Sequence, residues 1–211
     1  MKDGKGIETY ADGSKYIGDF KENMKNGEGE LIIILENGQK NVYQGKFKED
    51  LIWGKGIYKY YDNKEYIGEW ENSEISGYGV LIDENVRHIG YFEHDKKHGY
   101  GCTFHLDQGF CILGKWNEDK EEGFGIIINV TDLGSNSESN ISSNNTNNNG
   151  KILKIIYFTQ GEIDNEKISE EDIKNFTESQ ECETMLQLYK NKLYGDFLQS
   201  FNEDTFLKNI S

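Results

Sequence analysis

Short segments of alternating polar and apolar character recur along roughly the first 128 residues. One of them reads Tyr66-Ile67-Gly68-Glu69-Trp70. Because successive side chains of a strand point to opposite faces, its two aromatic residues and its glycine share one face. Ile67 and Glu69 share the other face, which is mixed in character. Each such segment is therefore predicted to be a β-strand with an aromatic face.

A second motif, Gly-x-Gly, alternates with the aromatic one and begins a strand of its own. In the strand that follows one pair, Gly54, Gly56, Tyr58 and Tyr60 share a face by the same parity. Turn-forming residues separate the two strands of each unit, so each unit is predicted to be a β-hairpin of about 20 to 25 residues. The pairs are Gly4/Gly6, Gly27/Gly29, Gly54/Gly56, Gly77/Gly79, Gly99/Gly101 and Gly123/Gly125; the turn signals are Asp12-Gly13, Asn37-Gly38, Asp62-Asn63 and Gln108-Gly109.

Stacking of the hairpins follows from their individual weakness. A lone hairpin is marginal in water, so consecutive units are expected to lie side by side. The predicted fold is mainly β: an elongated, twisted antiparallel sheet of about six hairpins in residues 1–161, with an aromatic ladder on its concave side. The missing side chain at Gly68 is expected to leave room for an aromatic ring from a neighbouring hairpin.

Together these motifs resemble MORN (membrane occupation and recognition nexus) repeats. Residues 16–29, 43–56 and 66–79 fit the family pattern closely, and the unit that begins at Gly29 is longer than the others by about one turn. Residues 88–101 and 112–125 fit with the leading tyrosine replaced by His88 and Ile112, which is expected to weaken the ladder there. The resemblance implies a solenoid of stacked hairpins, and it is much less specific about function.

The charge of the chain narrows the range of partners. A formal net charge of −15 disfavours binding to nucleic acids and to anionic lipids. It favours protein partners that present a basic surface or an amphipathic helix. The three cysteines form no disulfide framework, and no secretory signal is recognisable. A cytoplasmic location is therefore predicted, and the resemblance to MORN repeats implies an association with the cytoskeleton or cell cortex.

Two segments depart from the repeat pattern. Residues 131–150 are almost entirely Ser, Asn and Gly and are predicted to be a disordered insertion in the sixth hairpin. Residues 162–211 are acidic and predicted to be helical, beginning with a capping box at Ser169. This tail is interpreted either as a cap on the open C-terminal edge of the sheet or as an amphipathic helix that docks on a partner. Its candidate docking residues are Leu186, Tyr189, Leu193 and Phe197.

Candidate chemistry is sparse, and we predict no catalytic residue, no cofactor and no metal. The Gly-x-Gly pairs are not phosphate loops, because none of them opens a helix. A zinc site is the strongest alternative; its candidate ligands are His94, His98, Cys102 and His105. The first two are expected in the connector between hairpins, and parity puts Cys102 and His105 on opposite faces of one strand. Cys102 and Cys111 are expected to face each other as thiols.

The leading functional hypothesis is a non-catalytic protein-interaction scaffold or adaptor. The resemblance implies a role in positioning partners at cytoskeletal or cortical structures. Two alternatives stay open: a peripheral module that binds membranes or phosphoinositides, and a targeting or regulatory part of an enzyme. The open sheet edge at the N-terminus also suggests homo-oligomers. The predicted contact surface is an exposed aromatic groove lined by Tyr16, Phe20, Tyr43, Phe47, Tyr58, Tyr60, Tyr66, Trp70, Phe92 and Trp116.

Overall fold

The structure is a computed structural model that describes residues 1–129 and 152–190. The described residues form two compact units. One unit contains residues 1–84 and 89–97, and the other contains residues 85–88, 98–129 and 152–190.

Strands dominate both units, and strand order is chain order from the first strand to the last. The predicted fold class, a mainly β antiparallel array of stacked hairpins with a short C-terminal helical segment, is confirmed. The strands are β1 (Gly4–Thr9), β2 (Lys15–Lys21), β3 (Met24–Ile34), β4 (Lys40–Lys48), β5 (Leu51–Lys59), β6 (Glu65–Glu71), β7 (Glu74–Asp83), β8 (Val86–Glu93), β9 (Lys96–His105), β10 (Phe110–Asn117), β11 (Lys120–Asn129), β12 (Ile152–Thr159) and β13 (Glu162–Ile163).

The glycines of the two motifs set the register between strands. Gly6 pairs with Gly18, and Gly18 pairs in turn with Gly29 on its other side. The same arrangement recurs in the next hairpins, where Gly56 pairs with both Gly45 and Gly68. Pairs of glycines therefore line up across the strands of the first unit. Because glycine has no side chain, these positions form a narrow channel on one face of the strands.

Tight two-residue turns join each aromatic strand to the following Gly-x-Gly strand. Both turn residues have positive φ, for example 49° at His94 and 65° at Asp95. This is the geometry of a type I′ turn, which matches the twist of the flanking strands. These connectors are pairs of polar residues. The pairs are Glu22-Asn23, Glu49-Asp50, Asn72-Ser73, His94-Asp95 and Glu118-Asp119.

The second residue of each turn in the first unit links its hairpin to the preceding one. The backbone N–H of Ile75 donates to the Asp95 carboxylate at 2.7 Å, and the Asp95 N–H donates back to the Ile75 carbonyl at 3.0 Å. Asn23, Asp50 and Ser73 make the equivalent pair of bonds, so a hydrogen-bonded row runs from turn to turn along this side of the unit.

Removal of one side chain from this row should lower stability without straining the turn. We expect Asp95→Gly to reduce the free energy of unfolding by about 1–2 kcal/mol, because the N–H of the buried Ile75 loses its acceptor while glycine tolerates the positive φ. Asp95→Asn keeps an acceptor oxygen and should stay close to the unmodified protein. Urea unfolding measures both variants; equal stability of the glycine and asparagine variants would contradict this role.

Two helices follow the strands in the second unit, after a 3₁₀ turn at Asn165–Lys167. They are α1 (Glu170–Thr177) and α2 (Gln180–Lys190). The predicted capping box is present: the Ser169 hydroxyl accepts from the Asp172 N–H at 3.2 Å, and the Ser169 N–H donates to the Asp172 carboxylate at 2.8 Å. These reciprocal bonds satisfy two backbone donors at the start of α1.

The helices cover a face of strands β9 to β11. Phe176 of α1 stacks on Phe124 of β11, with ring centroids 4.4 Å apart, and the Tyr100 hydroxyl of β9 lies 3.4 Å from the Glu181 carboxylate of α2. The printed contacts of these helices are with residues of a sheet face, and the interpretation of the tail as a cap on the C-terminal edge stays a prediction. The short strand β13 pairs with β12 at the end of the strand order.

Several predictions fall on residues that the structure does not describe. The insertion at 131–150 lies outside the described residues, and so do Leu193 and Phe197 of the predicted docking face. The predicted division of the chain at residue 161 stays a prediction.

Candidate functional site

Tyrosine side chains fill the glycine channel of the first unit. The Tyr66 ring lies over Gly68 of its own strand and over Gly79 of the next strand. A methyl group at Gly79 would lie 2.5 Å from two ring carbons of Tyr66, and one at Gly68 would lie 2.8 Å from the Gly79 Cα. The ring thus comes from the same strand as Gly68, where the sequence predicts a ring from a neighbouring hairpin. Tyr16 and Tyr43 occupy the same place in their repeats.

The hydroxyl of each channel tyrosine is held by its own strand. Tyr16 donates to the Asp19 carbonyl at 2.9 Å, Tyr43 to the Lys46 carbonyl at 3.1 Å and Tyr66 to the Glu69 carbonyl at 3.1 Å. The acceptor is always the residue three positions later. These bonds satisfy the buried hydroxyls and fix the direction of the rings.

Aromatic rings of successive repeats form one continuous chain of edge-to-face contacts. Tyr43 contacts Phe47 of its own strand at 5.2 Å between centroids and Trp70 of the next aromatic strand at 5.5 Å. Edge-to-face pairs contribute about 0.5–1.5 kcal/mol each beyond their buried area. In order, the chain runs Phe20, Tyr16, Phe47, Tyr43, Trp70, Tyr66 and Phe92, with centroid distances of 5.0–5.5 Å.

The aromatic ladder is a hydrophobic core, so the predicted exposure of its residues is wrong. Side chains that the sequence places in an open groove are almost inaccessible to solvent, because each packs against the ring of a neighbouring residue of its own strand or of an adjacent repeat. Of the ten predicted contact residues, eight are buried, with relative exposures of 0–6%: Tyr16, Phe20, Tyr43, Phe47, Tyr66, Trp70, Phe92 and Trp116.

Tyr58 and Tyr60 are the two predicted contact residues that stay partly exposed. Their rings are 4.5 Å apart, and the Tyr58 ring lies 5.8 Å from that of Trp70. The Asn41 side-chain amide donates to the Tyr58 hydroxyl at 3.0 Å. Burial raises the pKa of Tyr60 to about 12. The pair is therefore a fixed aromatic surface on the outer side of the ladder.

Alkaline pH should destabilise the ladder. Burial raises the pKa of Tyr16, Tyr43 and Tyr66 well above the value of about 10 that a tyrosine has in the unfolded chain. The stability that these groups contribute is fully present below pH 10 and falls as the pH rises toward the folded-state pKa values. We expect urea unfolding midpoints to fall steeply above pH 10, and less steeply for Tyr66→Phe. Tyrosinate absorbance that reached completion near pH 10 in a still-folded protein would contradict this expectation.

In the second unit, other residues stand at the position of the motif's leading tyrosine. His88 is buried, its ring lies 4.8 Å from that of Trp116, and its Nδ1 is 2.8 Å from the Thr103 hydroxyl. His88 thus fills a position like that of the channel tyrosines. At the next repeat Ile112 takes this place, and the nearest atoms to a methyl group at Gly114 would be those of Trp116 at 3.6 Å and 3.7 Å.

A small second core lies on the opposite face of the first unit. Ile57 and Ile67 are directly paired across β5 and β6 and are buried, with Ile82 packed against them. The sequence predicts only a mixed surface there. The signal in the sequence that could have indicated this second core is the apolar character of these alternate strand positions. On the same side, the exposed Tyr78 makes an edge-to-face contact with Tyr91 at 5.6 Å.

The candidate zinc ligands have other roles in the structure. His94 is a turn residue whose Nδ1 lies 2.7 Å from the Glu74 carboxylate, which raises the pKa of the imidazole. His98 belongs to strand β9, so its predicted place in a connector is wrong. Cys102 is buried, and Cys111, which is also buried, sits diagonally across the hairpin from it rather than directly opposite. Burial raises the pKa of the Cys102 thiol. Within residues 1–129 and 152–190, no three His, Cys, Asp or Glu side chains are grouped to hold a metal.

The helical tail residues include buried, partly exposed and undescribed positions. Cys182 and Met185 of α2 are buried, and Leu186 is partly exposed. Tyr189 lies in α2, but its side chain is outside the described residues. A surface depression nearby is lined by Phe124, Tyr157, Ile168 and Asp172. Docking of the tail on a partner stays a prediction.

Among the described residues, no helix is long and apolar enough to span a bilayer.

Comparison with known families identifies the repeats. The MORN repeat model matches residues 1–15, 16–32, 43–64, 66–85 and 88–103, so the chain contains five MORN repeats and the predicted resemblance is confirmed. Residues 33–42, the extended part of the repeat that begins at Gly29, fall between two matches. MORN repeats are typical of modules that bind proteins or membranes.

Among curated proteins, the chain is similar to Alsin from several mammals. The identity is 30% over 148 residues for Alsin of Homo sapiens and of Pan troglodytes, and 29% over 148 residues for that of Rattus norvegicus. In each case the match covers 67% of this chain and 9% of the relative. The chain thus spans about a tenth of the length of these curated relatives.

Proposed function

We propose that the chain is a non-catalytic protein-interaction scaffold that positions partner proteins at a cytoskeletal or cortical structure. The observation that carries the proposal is the use of the motif residues. The aromatic rings and glycines of the repeats are buried against one another in a hydrophobic core. The outer faces and strand edges therefore remain as the surfaces available for binding. Such surfaces suit the binding of macromolecules better than the enclosure of a small substrate.

The Tyr58–Tyr60 pair is the contact surface that this proposal favours. Tyrosine is enriched among the residues that dominate binding energy at protein interfaces, because it brings a large area with few rotatable bonds. The contacts of Tyr58 with Trp70 and Asn41 hold its ring before any partner arrives. A partner that covers this pair would therefore lose little side-chain entropy. The net charge of −15 favours a partner with a basic surface.

Affinity capture from cells that express the protein tests this proposal. The full-length chain with a tag is compared with a Tyr58→Ala/Tyr60→Ala variant and with Tyr78→Ala, which removes an exposed tyrosine from the opposite face. We expect a stoichiometric protein partner that is retained by Tyr78→Ala and lost with the double variant. Thermal unfolding of all three proteins must be cooperative, so that loss of the partner reports on the surface.

Fractionation of the same cells tests the positioning part of the proposal. We expect the chain to sediment with detergent-insoluble cytoskeletal material and to be released together with its partner. Sedimentation of the purified protein with anionic liposomes at physiological salt, without any captured protein, would favour the membrane-binding alternative and contradict the proposal.

A further inference from the structure

The surface depression of the second unit brings two aromatic rings, an aliphatic side chain and a carboxylate together. It has a volume of about 400 Å³ and is lined by Phe124, Tyr157, Ile168 and Asp172. The two aromatic residues stand directly opposite each other on β11 and β12. The other two come from the end of the strand array and the first turn of α1. All four residues belong to one compact unit, so the depression is a feature of that unit alone.

The aromatic rings of the depression meet at nearly a right angle. The centroids of Phe124 and Tyr157 are 5.2 Å apart, and the ring planes are inclined by 82°. The inner corner of such an edge-to-face pair is bounded by one face of each ring, and the ring faces carry the negative part of the aromatic quadrupole. A cation placed in this corner is therefore attracted by both rings.

Asp172 adds a fixed negative charge to the depression. The backbone N–H and the hydroxyl of Ser169 both donate to its Oδ2, at 2.8 and 2.7 Å. These bonds from Ser169, the side-chain bond foremost, lower the pKa of Asp172, so this carboxyl is ionised at neutral pH. The capping box that begins α1 thus also orients a carboxylate beside the two rings.

The walls of the depression are held in place by contacts outside it. Phe176 of α1 stacks on one face of Phe124, with the centroids 4.4 Å apart and the planes inclined by 14°. The Tyr157 N–H donates to the Asn165 side chain at 3.2 Å, and the Tyr157 carbonyl accepts from the Asp164 N–H at 2.8 Å. A ligand therefore meets a site that is already formed, which reduces the entropy lost on binding.

The chemistry of the lining selects a cation with an apolar shell. A quaternary ammonium group spreads its charge over methyl groups, which contact ring faces and aliphatic carbon while the carboxylate balances the charge. Anions are disfavoured, because Glu170 and Glu171 accompany Asp172 in the first turn of α1. A phosphocholine headgroup carries a phosphate next to its ammonium group, so the same acids disfavour it. The side chain of a methylated lysine carries no anion.

We propose that the depression lined by Phe124, Tyr157, Ile168 and Asp172 binds the trimethylammonium group of a methylated lysine on a partner protein. The ammonium group lies in the corner of the two rings, its methyl groups contact Ile168, and Asp172 balances its charge. This inference rests on the proposed function, because it names a partner class for the scaffold and a contact surface distinct from Tyr58 and Tyr60.

Titration of the full chain with tetramethylammonium chloride tests the site with the simplest form of its ligand. We expect saturable shifts of the NMR signals of the Phe124 and Tyr157 rings and of the Ile168 methyl groups, with a Kd of order 10 mM. Tert-butanol is neutral and similar in size, and it should bind at least about fivefold more weakly.

Longer ligands separate the two natural sources of a quaternary ammonium group. A labelled peptide that contains one trimethyllysine should bind at least about fivefold more tightly than the same peptide with unmodified lysine. Glycerophosphocholine should bind more weakly than tetramethylammonium, because its phosphate is repelled by the acids of α1.

Substitutions test the role of each wall. Asp172→Asn removes the charge but keeps an acceptor oxygen for the Ser169 N–H, and Tyr157→Leu replaces the ring by an aliphatic side chain. Each should weaken tetramethylammonium binding by at least about fivefold. Glu178→Gln removes one charge at the other end of α1 and should change it by less than about twofold. Amide spectra of the three variants show whether the fold is kept, and the comparison with tert-butanol needs no variant.

Four results would overturn the proposal: no saturable shifts up to about 200 mM tetramethylammonium, equal binding of tert-butanol, equal effects of Asp172→Asn and Glu178→Gln, or tighter binding of glycerophosphocholine than of the trimethyllysine peptide. The last result would make a lipid headgroup the ligand. A partner that is lost with the Tyr58→Ala/Tyr60→Ala variant would keep the proposed function even if no ammonium ligand binds.

Discussion

Gly68→Ala should reduce the free energy of unfolding by about 2–4 kcal/mol, an unusually large effect for the addition of one methyl group. The new carbon would lie 2.8 Å from the Gly79 Cα and even closer to the Tyr66 hydroxyl. Backbone atoms cannot move aside cheaply, so the tyrosine ring has to leave the channel. Its hydrogen bond to Glu69 and its contacts with Trp70 and Phe92 are then lost together. Urea unfolding followed by circular dichroism measures the loss.

Gly114→Ala is the matched control within the same chain. Gly114 holds the corresponding motif position in β10, but Ile112 replaces the tyrosine, and the added carbon meets Trp116 at ordinary contact distances of 3.6–3.7 Å. We expect this variant to lose less than about 1 kcal/mol. Similar losses at Gly68 and Gly114 would show that the glycines serve the strand backbone and not the tyrosine.

Tyr66→Ala should cost about 3–5 kcal/mol, the range for removal of a buried aromatic ring. The side chain is 0% exposed and contacts Trp70 at 5.3 Å and Phe92 at 5.3 Å. Tyr66→Phe keeps the ring and removes only the hydroxyl, so it should cost about 1 kcal/mol through the Glu69 carbonyl that it leaves without a donor. Thermal or urea unfolding separates the two contributions.

Tyr61→Ala provides the comparison for an exposed aromatic residue. Its side chain is 49% exposed, and it should change stability by less than about 0.5 kcal/mol. A small loss for Tyr66→Ala, comparable to that of Tyr61→Ala, would contradict the interpretation of the ladder as the core.

The fold could be predicted from the sequence because its constraints are local and repeated. Parity along Tyr66-Ile67-Gly68-Glu69-Trp70 fixes which side chains share a face, and the interleaved Gly-x-Gly pairs fix the hairpin unit. The capping box at Ser169 likewise depends on residues three positions apart. Each of these features requires only neighbours in sequence, so a single chain contains the information.

Burial could not be predicted in the same way. Parity places Tyr16, Tyr43 and Tyr66 on one face, but whether that face is an open groove depends on contacts between residues of different repeats. The rings close the groove because each tyrosine turns over the glycine of its own strand and meets the aromatic residue of the next. The rotamer of each tyrosine side chain decides whether the face is open or buried, and the sequence pattern alone does not specify that rotamer.

The hydrogen bonds that connect successive turns could not be predicted from the sequence pattern either. Asp50 and Asp95 resemble ordinary surface acids, and solubility is the natural interpretation of such residues. Their role depends on positive φ and on a backbone N–H that is 25 residues away in sequence for Asp50 and 20 residues away for Asp95. Similarly, the placement of α1 and α2 over a sheet face depends on the contact of Phe176 with Phe124, which no local signal indicates.

Purification of the untagged protein from its native cells, followed by size-exclusion chromatography with light scattering, tests whether the chain acts as a protein-interaction scaffold. We expect the chain to elute in a stoichiometric complex with at least one other protein, and the complex to survive mild detergent. Elution as a free monomer, or recovery only with lipid, would contradict a role as a protein-interaction scaffold.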